Sequence, residues 1–439
     1  MKIKIFTLLA YLITVGALNA QVFEKFDKTV NGIPAVDGIR SICAGDVNNN
    51  GIDDIFISKL NSNYFGTSDH KFVLDQNLTK GTDNIKYSST CAFVDYDNDE
   101  HLDLLYFGDD VTPWTTGKKP IVLPVLKGNY AKGADVGWLS EMEAKGKKFY
   151  TSDGVEKDLF DVLKSKGINS IRLRVWVNPP KSYSNKADVV ALAVRAKNKG
   201  MRLMINFHYS DGWADNKSQR KPKAWKDYNF EELKKAVYDH TFEVLSALKS
   251  NNVVPEWVQV GNESDDGILF PDGQISMGNG TGYAKLFNSG YAAVKAVNKH
   301  IKVIAHASSS KDSTVYKTHF DALRNNGALW DITGMSSYPW PSNTWPEHNA
   351  KIFECMKLLQ IRYQRPIMIV EVGSPVNEPL DCKNMLIDLM TKSSSMGKNG
   401  LGTFYWEPEC PKEWNNYGSG AFDNTGKPTE AMDAFLINL

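Results

Sequence analysis

Two glutamates in this chain sit where apolar runs stop. In WVQVGNES (257–264) the run Trp257, Val258, Val260 ends at Gly261. Asn262 and Glu263 follow, an amide and a carboxylate that a strand interior disfavours. In PIMIVEVGSP the run 366–370 delivers Glu371, after which Gly373 and Pro375 turn the chain. Apart from Gln259 neither run is interrupted by a polar residue, which is how parallel strands covered on both faces read. Two carboxylates at strand ends over one cleft can act as a general acid and a nucleophile at a glycosidic bond. The competing reading, structural carboxylates paired with arginine, is disfavoured because the neighbours of both are too polar for a plain core.

The elements that must position them begin near Val125, where strand and helix patterns start to alternate. A weak first strand at GADVGWL is followed by SIRLRVWV, RLMINFHY, WVQVGNE, KVIAHAS, WDITGMSSY, PIMIVEVG and LGTFYWEP. Helical periodicity lies between them, as in EKDLFDVLKSKG, ADVVALAVRAKNKG and FEELKKAVYDHTFEVLSALK, with Gly167, Gly200 and Gly327 placed as C-terminal caps. Eight such units predict a (β/α)₈ TIM barrel over 125–439, an α/β fold. An open doubly wound sheet is the alternative, and no Gly-rich dinucleotide fingerprint follows an early strand.

Barrel sites gather at the C-terminal strand ends. That rule collects Asp135, Arg174, Trp176, His208, Asn262, Glu263, Tyr338, Glu371 and Trp406. Arg174 and Tyr338 are expected to hydrogen-bond Glu371 and keep it ionised. Asn262 would hold the sugar hydroxyl beside the anomeric carbon, and Trp213 would stack on a ring. For His208 a structural role and a sugar contact are equally open, and residue spacing leaves open which glutamate is acid and which nucleophile.

The 439 residues carry 51 basic and 51 acidic side chains, a balance that gives no reason to expect nucleic acid or an anionic membrane as partner. Residues 1–20 read as a signal peptide: Lys2 and Lys4, an apolar run over 5–15, then small residues to Ala20. That run is too short for a membrane span. The mature protein is expected to be exported, whether secreted, periplasmic or at the cell surface, and monomeric. Five cysteines leave at least one unpaired. Pairing of Cys43 with Cys91 and of Cys382 with Cys410 is left open, and Cys355 reads as a buried free thiol.

Residues 21–124 read as a separate β-rich module. Two acidic loops, DVNNNGIDD and DYDNDEHLD, put Asp46, Asn48, Asn50 and Asp54, and Asp95, Asp97, Asp99 and Asp103, at spacings that wrap oxygen ligands round one cation. Ca²⁺ accepts such loops; polar Asx-rich turns without metal are the alternative. The loops resemble repeats of the FG-GAP or VCBS type, although the second has Glu100 where glycine is usual.

The segments GADVGWLSEMEAKGKKFY, INSIRLRVWVNP, MINFHYSDGWADNKSQRKPKAW, PEWVQVGNES and YGSGAFDNTGKPTEAM resemble glycoside hydrolase family 53, the endo-β-1,4-galactanases, over 128–439. The resemblance implies a barrel acting with retention on β-1,4-galactan, with no cofactor for catalysis. It also implies Glu263 as acid/base and Glu371 as nucleophile. Phe270 stands before Pro271 where the family commonly has tryptophan, and the loop EPECPKEWNNYG is too short to transfer the Ca²⁺ site that some bacterial members carry there. Another retaining polysaccharidase of the same clan, a mannanase or xylanase, is the runner-up. A non-catalytic glycan-binding barrel would have lost a glutamate, and both are present.

Overall fold

A computed structural model describes residues 130–308, 312–437 and 439, together with the backbone of seven strands ahead of them. The chain divides into two units, Met1–Asn129 and Tyr130–Leu439. In the first, Ile42–Gly45, Asp54–Ile57, Ser62–Gly66 and Phe72–Asp75 form an antiparallel sheet in sequence order, and Ser88–Val94, Asp103–Gly108 and Ile121–Leu123 form another. The two acidic stretches are thus connections between antiparallel neighbours. Asp54 and Asp103 open strands; Asp46, Asn48, Asn50, Asp95, Asp97 and Asp99 lie outside the described residues, as do Cys43 and Cys91 side chains.

The second unit is a closed barrel of eight parallel strands: β1 (Ala131–Asp135), β2 (Ser170–Val175), β3 (Arg202–Phe207), β4 (Trp257–Val260), β5 (Lys302–Ala307), β6 (Ile332–Ser337), β7 (Ile367–Val372) and β8 (Gly400–Trp406). Each pairs with the next, and β8 returns to β1. Helices α1 (Leu159–Ser165), α2 (Lys186–Asn198), α3 (Phe230–Ser250), α4 (Thr281–Val297), α5 (Ser313–Asn325), α6 (Trp345–Tyr363) and α7 (Pro379–Ser394) lie between strands, and a 3₁₀ helix over Glu430–Leu436 follows β8. The fold expected from the alternating runs is borne out. Among the described residues no helix is long and apolar enough to cross a membrane.

Local chemistry sets the helix ends. Asn229 and Glu232 form a reciprocal capping box that starts α3. Gly167, Gly200 and Gly327 adopt φ of 87°, 69° and 71° just past α1, α2 and α5, the left-handed turn that favours glycine. The first strand lies two residues earlier than GADVGWL suggests and stops at Asp135. Val136 N still donates to Arg172 O of β2 (3.3 Å), and beyond it the backbone bonds to side chains: Gly137 N donates to Asp135 Oδ1 (3.2 Å) and Trp138 N to Glu407 Oε2 (3.1 Å). A Cβ on Gly137 would sit 2.3 Å from Arg174 Nη1, so only glycine lets that guanidinium approach.

Inside the barrel an apolar layer of Met204, Trp257, Ile304, Ile332, Met368, Val370 and Phe404 forms a floor. Asp135, Arg172, Asn206, Gln259 and His306, none with any exposed surface, form a second, polar set inside the barrel. Period-two alternation should put Val370 and Glu371 on opposite faces. Instead Val370 joins the floor while Glu371 reaches inside to Arg172. The pairing explains this: Met335 opposes Ile369 but Ser336 opposes Glu371, so Val370 is the extra residue of a β-bulge that re-aims the carboxylate.

Candidate active site

Glu371 meets a cation. Arg172 Nη2 lies 2.7 Å from Glu371 Oε1, and Arg172 Nη1 lies 2.6 Å from Asp135 Oδ2. Tyr338 Oη donates to Glu371 Oε2 at 3.1 Å, as its strand-end position suggested. Burial raises the Glu371 carboxyl; Arg172 and Tyr338 oppose that rise, while Asp135 adds to it. Burial also opposes the charge on Arg172, but Glu371 and Asp135 outweigh it and raise its pKa.

Among the described residues Glu263 has no such partner. Its backbone is left-handed, with φ of 41°, and its Oε1 accepts a hydrogen bond from Ser336 Oγ at 2.7 Å. Desolvation, with the charge of Glu371 next, pushes this carboxyl up to about 8, against the small lowering by Ser336. The adjoining Asn262 is held from several sides. Its Oδ1 accepts from Arg172 Nη2 (2.9 Å) and Asn206 Nδ2 (3.0 Å), and its Nδ2 donates to Ala214 O (2.9 Å). Gln219 Nε2 donates to Asn262 O at 2.8 Å, tying the loop after β3 to the Asn-Glu pair. Beyond Gln219, Phe270 and Pro271 line an open cleft of about 510 Å³ together with Lys217, Arg220, Lys221 and Lys226.

A cluster of aromatic rings lies beside these carboxylates. Trp138, Trp176, Trp213, Trp406 and Tyr417 meet edge to face, with centroids 5.1 Å apart for Trp176 and Trp213 and 4.8 Å for Trp406 and Tyr417. Trp213, 44% exposed, has one side open to a ligand. Arg174 corrects the expectation from sequence: it does not touch Glu371 but pairs with Glu407, lies 3.8 Å from Asp135 and sits 4.5 Å from the centre of Trp213. It anchors the ring cluster from beneath. Both arginines occupy inward positions of β2, and the shallower one was the wrong choice.

His208, nearly buried, accepts from Ala214 N at Nδ1 (3.2 Å), and its Nε2 lies 3.1 Å from Asn206 Nδ2. Burial, then the charges of Arg172 and Arg174, hold it well below the usual imidazole range, so it is neutral. Asp135, Trp176, Asn262, Tyr338 and Trp406 join the same neighbourhood. The residues that sequence reasoning missed are Arg172, Gln259, His306, Ser336 and Glu407. Glu407 ends an apolar strand just as Glu263 and Glu371 do, and the same rule would have found it.

Among the described residues, Glu407, Glu409 and Cys410 are the metal-type grouping, with ligand atoms within 4.8 Å of one another. Arg174 already neutralises Glu407. Burial, then the Glu407 charge, pushes Glu409 well above the usual carboxylate range. Cys382 and Cys410 are both free and buried, against the pairing that spacing left open: Cys382 Sγ lies 3.4 Å from Tyr405 Oη and Cys410 Sγ 3.9 Å from Met142 Sδ. Cys355 is a buried free thiol, as read from its helix.

Comparison with known proteins bears on this arrangement. The family model "Glycosyl hydrolase family 53" matches residues 131–435. An arabinogalactan endo-β-1,4-galactanase of Cellvibrio japonicus is 32% identical, covering 70% of this chain and 89% of that protein. The solved catalytic domain of family 53 from Ignisphaera aggregans is 29% identical with a TM-score of 0.63, covering 71% of this chain and 97% of that one. A structure described as that of fungal β-1,4-galactanases is 25% identical with a TM-score of 0.64, covering 70% and 98%.

Proposed function

Since the chain belongs to glycosyl hydrolase family 53, we propose that it cleaves β-1,4-galactan within the polymer and with retention, using Glu371 as nucleophile and Glu263 as acid and base. Glu371 Oε attacks the anomeric carbon as the bond to the leaving oxygen breaks, and Glu263 gives that oxygen its proton. Water then attacks the glycosyl-enzyme, losing its proton to Glu263 and freeing Glu371. Asn262, with its amide oxygen occupied by Arg172 and Asn206, presents its nitrogen side to the sugar.

The observation that carries this reading is the asymmetry of the two carboxyls. Glu371 lies 2.7 Å from a guanidinium that favours its charge, whereas Glu263 meets no cation among the described residues and is pushed up to about 8, which keeps a proton available at neutral pH. The test is reducing-sugar release from linear β-1,4-galactan, with β-mannan and xylan alongside and Glu371→Ala protein as control. Galactan cleavage abolished in the variant is expected, with the β-anomer released first by NMR. Cleavage of mannan or xylan alone, or equal cleavage by the variant, overturns the substrate or the site.

For the remainder of the chain we propose export directed by residues 1–20 and Ca²⁺ held by the two acidic loops. The support is the spacing of their oxygen side chains and their position between antiparallel strands. Titration calorimetry of the full chain with Ca²⁺ should give binding that Asp46→Ala and Asp95→Ala together remove; no heat from the unmutated protein sinks the idea.

A further inference from the structure

We propose that His306 and Ser336 are positioning residues that fix which oxygen of Glu263 carries the catalytic proton, through a hydrogen-bond chain that begins at Arg172. The inference rests on the role proposed for Glu263 and goes on to ask what directs its proton. The chain can be followed atom by atom because its first member cannot accept a hydrogen bond. Arg172 Nε and Nη2 donate to Gln259 Oε1 at 3.3 and 3.2 Å, which turns the Gln259 amide nitrogen the other way. That nitrogen lies 2.7 Å from His306 Nδ1, and the backbone N of Glu263 lies 3.2 Å from the same atom. Two donors aimed at Nδ1 leave it no proton of its own, so the imidazole proton is on Nε2. Nε2 in turn lies 2.9 Å from Ser336 Oγ, which it therefore donates to. Ser336 has its own hydroxyl proton free for Glu263 Oε1, at 2.7 Å.

Every link is polarised in one direction, from the cation beside Glu371 to the carboxyl of Glu263. His306 and Ser336 are fully buried, so water does not compete for these bonds. Burial, with the Arg172 charge next, holds His306 well below the usual imidazole range, which keeps it neutral and in this one tautomer. Oε1 of Glu263 is thus always an acceptor, and the proton for the leaving group belongs on Oε2. The same ring also accepts from the Glu263 backbone in its left-handed turn, so one histidine fixes both ends of the residue. The ionisable groups bearing on this carboxyl are Glu371 on β7, Tyr338 after β6, Asp265 in its own loop, Asp215 in the loop after β3, and neutral His306 on β5.

If the chain merely filled space, Ser336→Ala would change stability and little else. If it directs the proton, kcat and the pH profile move together. On whichever glycan the unmutated enzyme cuts, kcat should fall roughly 10- to 100-fold with KM held within about 2-fold. The basic limb of kcat/KM should move to higher pH, because the lost bond favours the ionised form. Ser336→Thr, which keeps the hydroxyl, should restore both. His306→Asn is the second variant: its side-chain oxygen can replace Nδ1 as acceptor, but its amide N–H groups end short of the Nε2 position that meets Ser336, and the limb should move the same way. An infrared titration of the Glu263 carboxyl, assigned by its absence in Glu263→Gln, reads the same shift without substrate. An unmoved titration in Ser336→Ala, or in His306→Asn should the first not fold, overturns the proposal. An unmutated protein that cuts no glycan overturns the catalytic reading instead and leaves the titration to decide.

Discussion

Glu371 on β7 and Glu263 after β4 open into one barrel mouth, yet the groups that touch them differ in kind. Around Glu371 the partners are a guanidinium, a phenol and, one step away, Asp135, an ionic neighbourhood centred on Arg172. Around Glu263 they are a serine hydroxyl and a neutral histidine. The same side-chain chemistry is thereby divided into two tasks by its neighbours: burial raises both carboxyls, but at Glu371 a guanidinium and a phenol oppose the rise, while Glu263 is kept protonated. The buried charges are also interdependent: ionised Glu371 is itself one reason that Glu263 holds its proton.

The comparison breaks most severely if its ionic side is removed. Glu371→Ala should lower kcat by roughly four to six orders of magnitude, as loss of a nucleophile does. Single-turnover assays with added azide should recover part of the activity as an α-glycosyl azide, the product of direct attack from the emptied side. Recovery as the β-azide would reverse the two roles. Next in size is Arg172→Leu, which leaves Asp135 and Glu371 buried without their cation. Breaking a buried pair from one side costs about 3–5 kcal/mol. Urea unfolding should register that loss, and an unchanged midpoint would mean that the arginine is not the hub the geometry makes it.

The neutral side responds to pH with a defined sign. The Glu263 carboxyl sits at about 8 in the fold against an ordinary 4.5. Between those values the folded state keeps a proton that the unfolded chain releases, so stability falls as pH rises through this window. Glu263→Gln does not titrate. Its melting temperature should match the unmutated protein below pH 4.5 and exceed it by a few °C near pH 8. The same variant should lose roughly 10²–10⁴ in kcat/KM together with the basic limb of the profile. A melting difference independent of pH would mean that Glu263 titrates normally.

How much of this was legible beforehand divides along the same line. The barrel was readable because parallel strands are written as short unbroken apolar runs, and the glycines after α1, α2 and α5 mark where helices stop. Glu263 and Glu371 were readable because a carboxylate ending such a run is hard to explain as core. Depth was not readable. Arg172 and Arg174 share one face of β2, and only the register, Arg172 opposite Asp135, decides which reaches Glu371. The bulge at Val370 was equally hidden, since nothing in IMIVEV announces an extra residue. His306 and Ser336 did carry a signal, a histidine within KVIAHAS and a serine pair within ITGMSS, but an imidazole in a strand is ordinary until its tautomer can be traced.

Tyr338→Phe is the gentlest probe of the contrast, because it trims the ionic side while leaving its cation in place. The phenol donates one hydrogen bond to Glu371 at 3.1 Å, and burial, reinforced by the Glu371 charge, raises its own pKa so far that it stays a donor throughout the working range. A bond to an ionised acceptor contributes about 1.5–3 kcal/mol, but Arg172 remains, so only part of the anion's stabilisation is lost. The expected result is a kcat roughly 10-fold lower, with the acid limb of kcat/KM moved to higher pH. The basic limb, which belongs to Glu263, should stay where it was to a first approximation. Movement of the basic limb by as much as the acid limb would mean that the two carboxyls do not have separate surroundings after all, and that one shared network sets both.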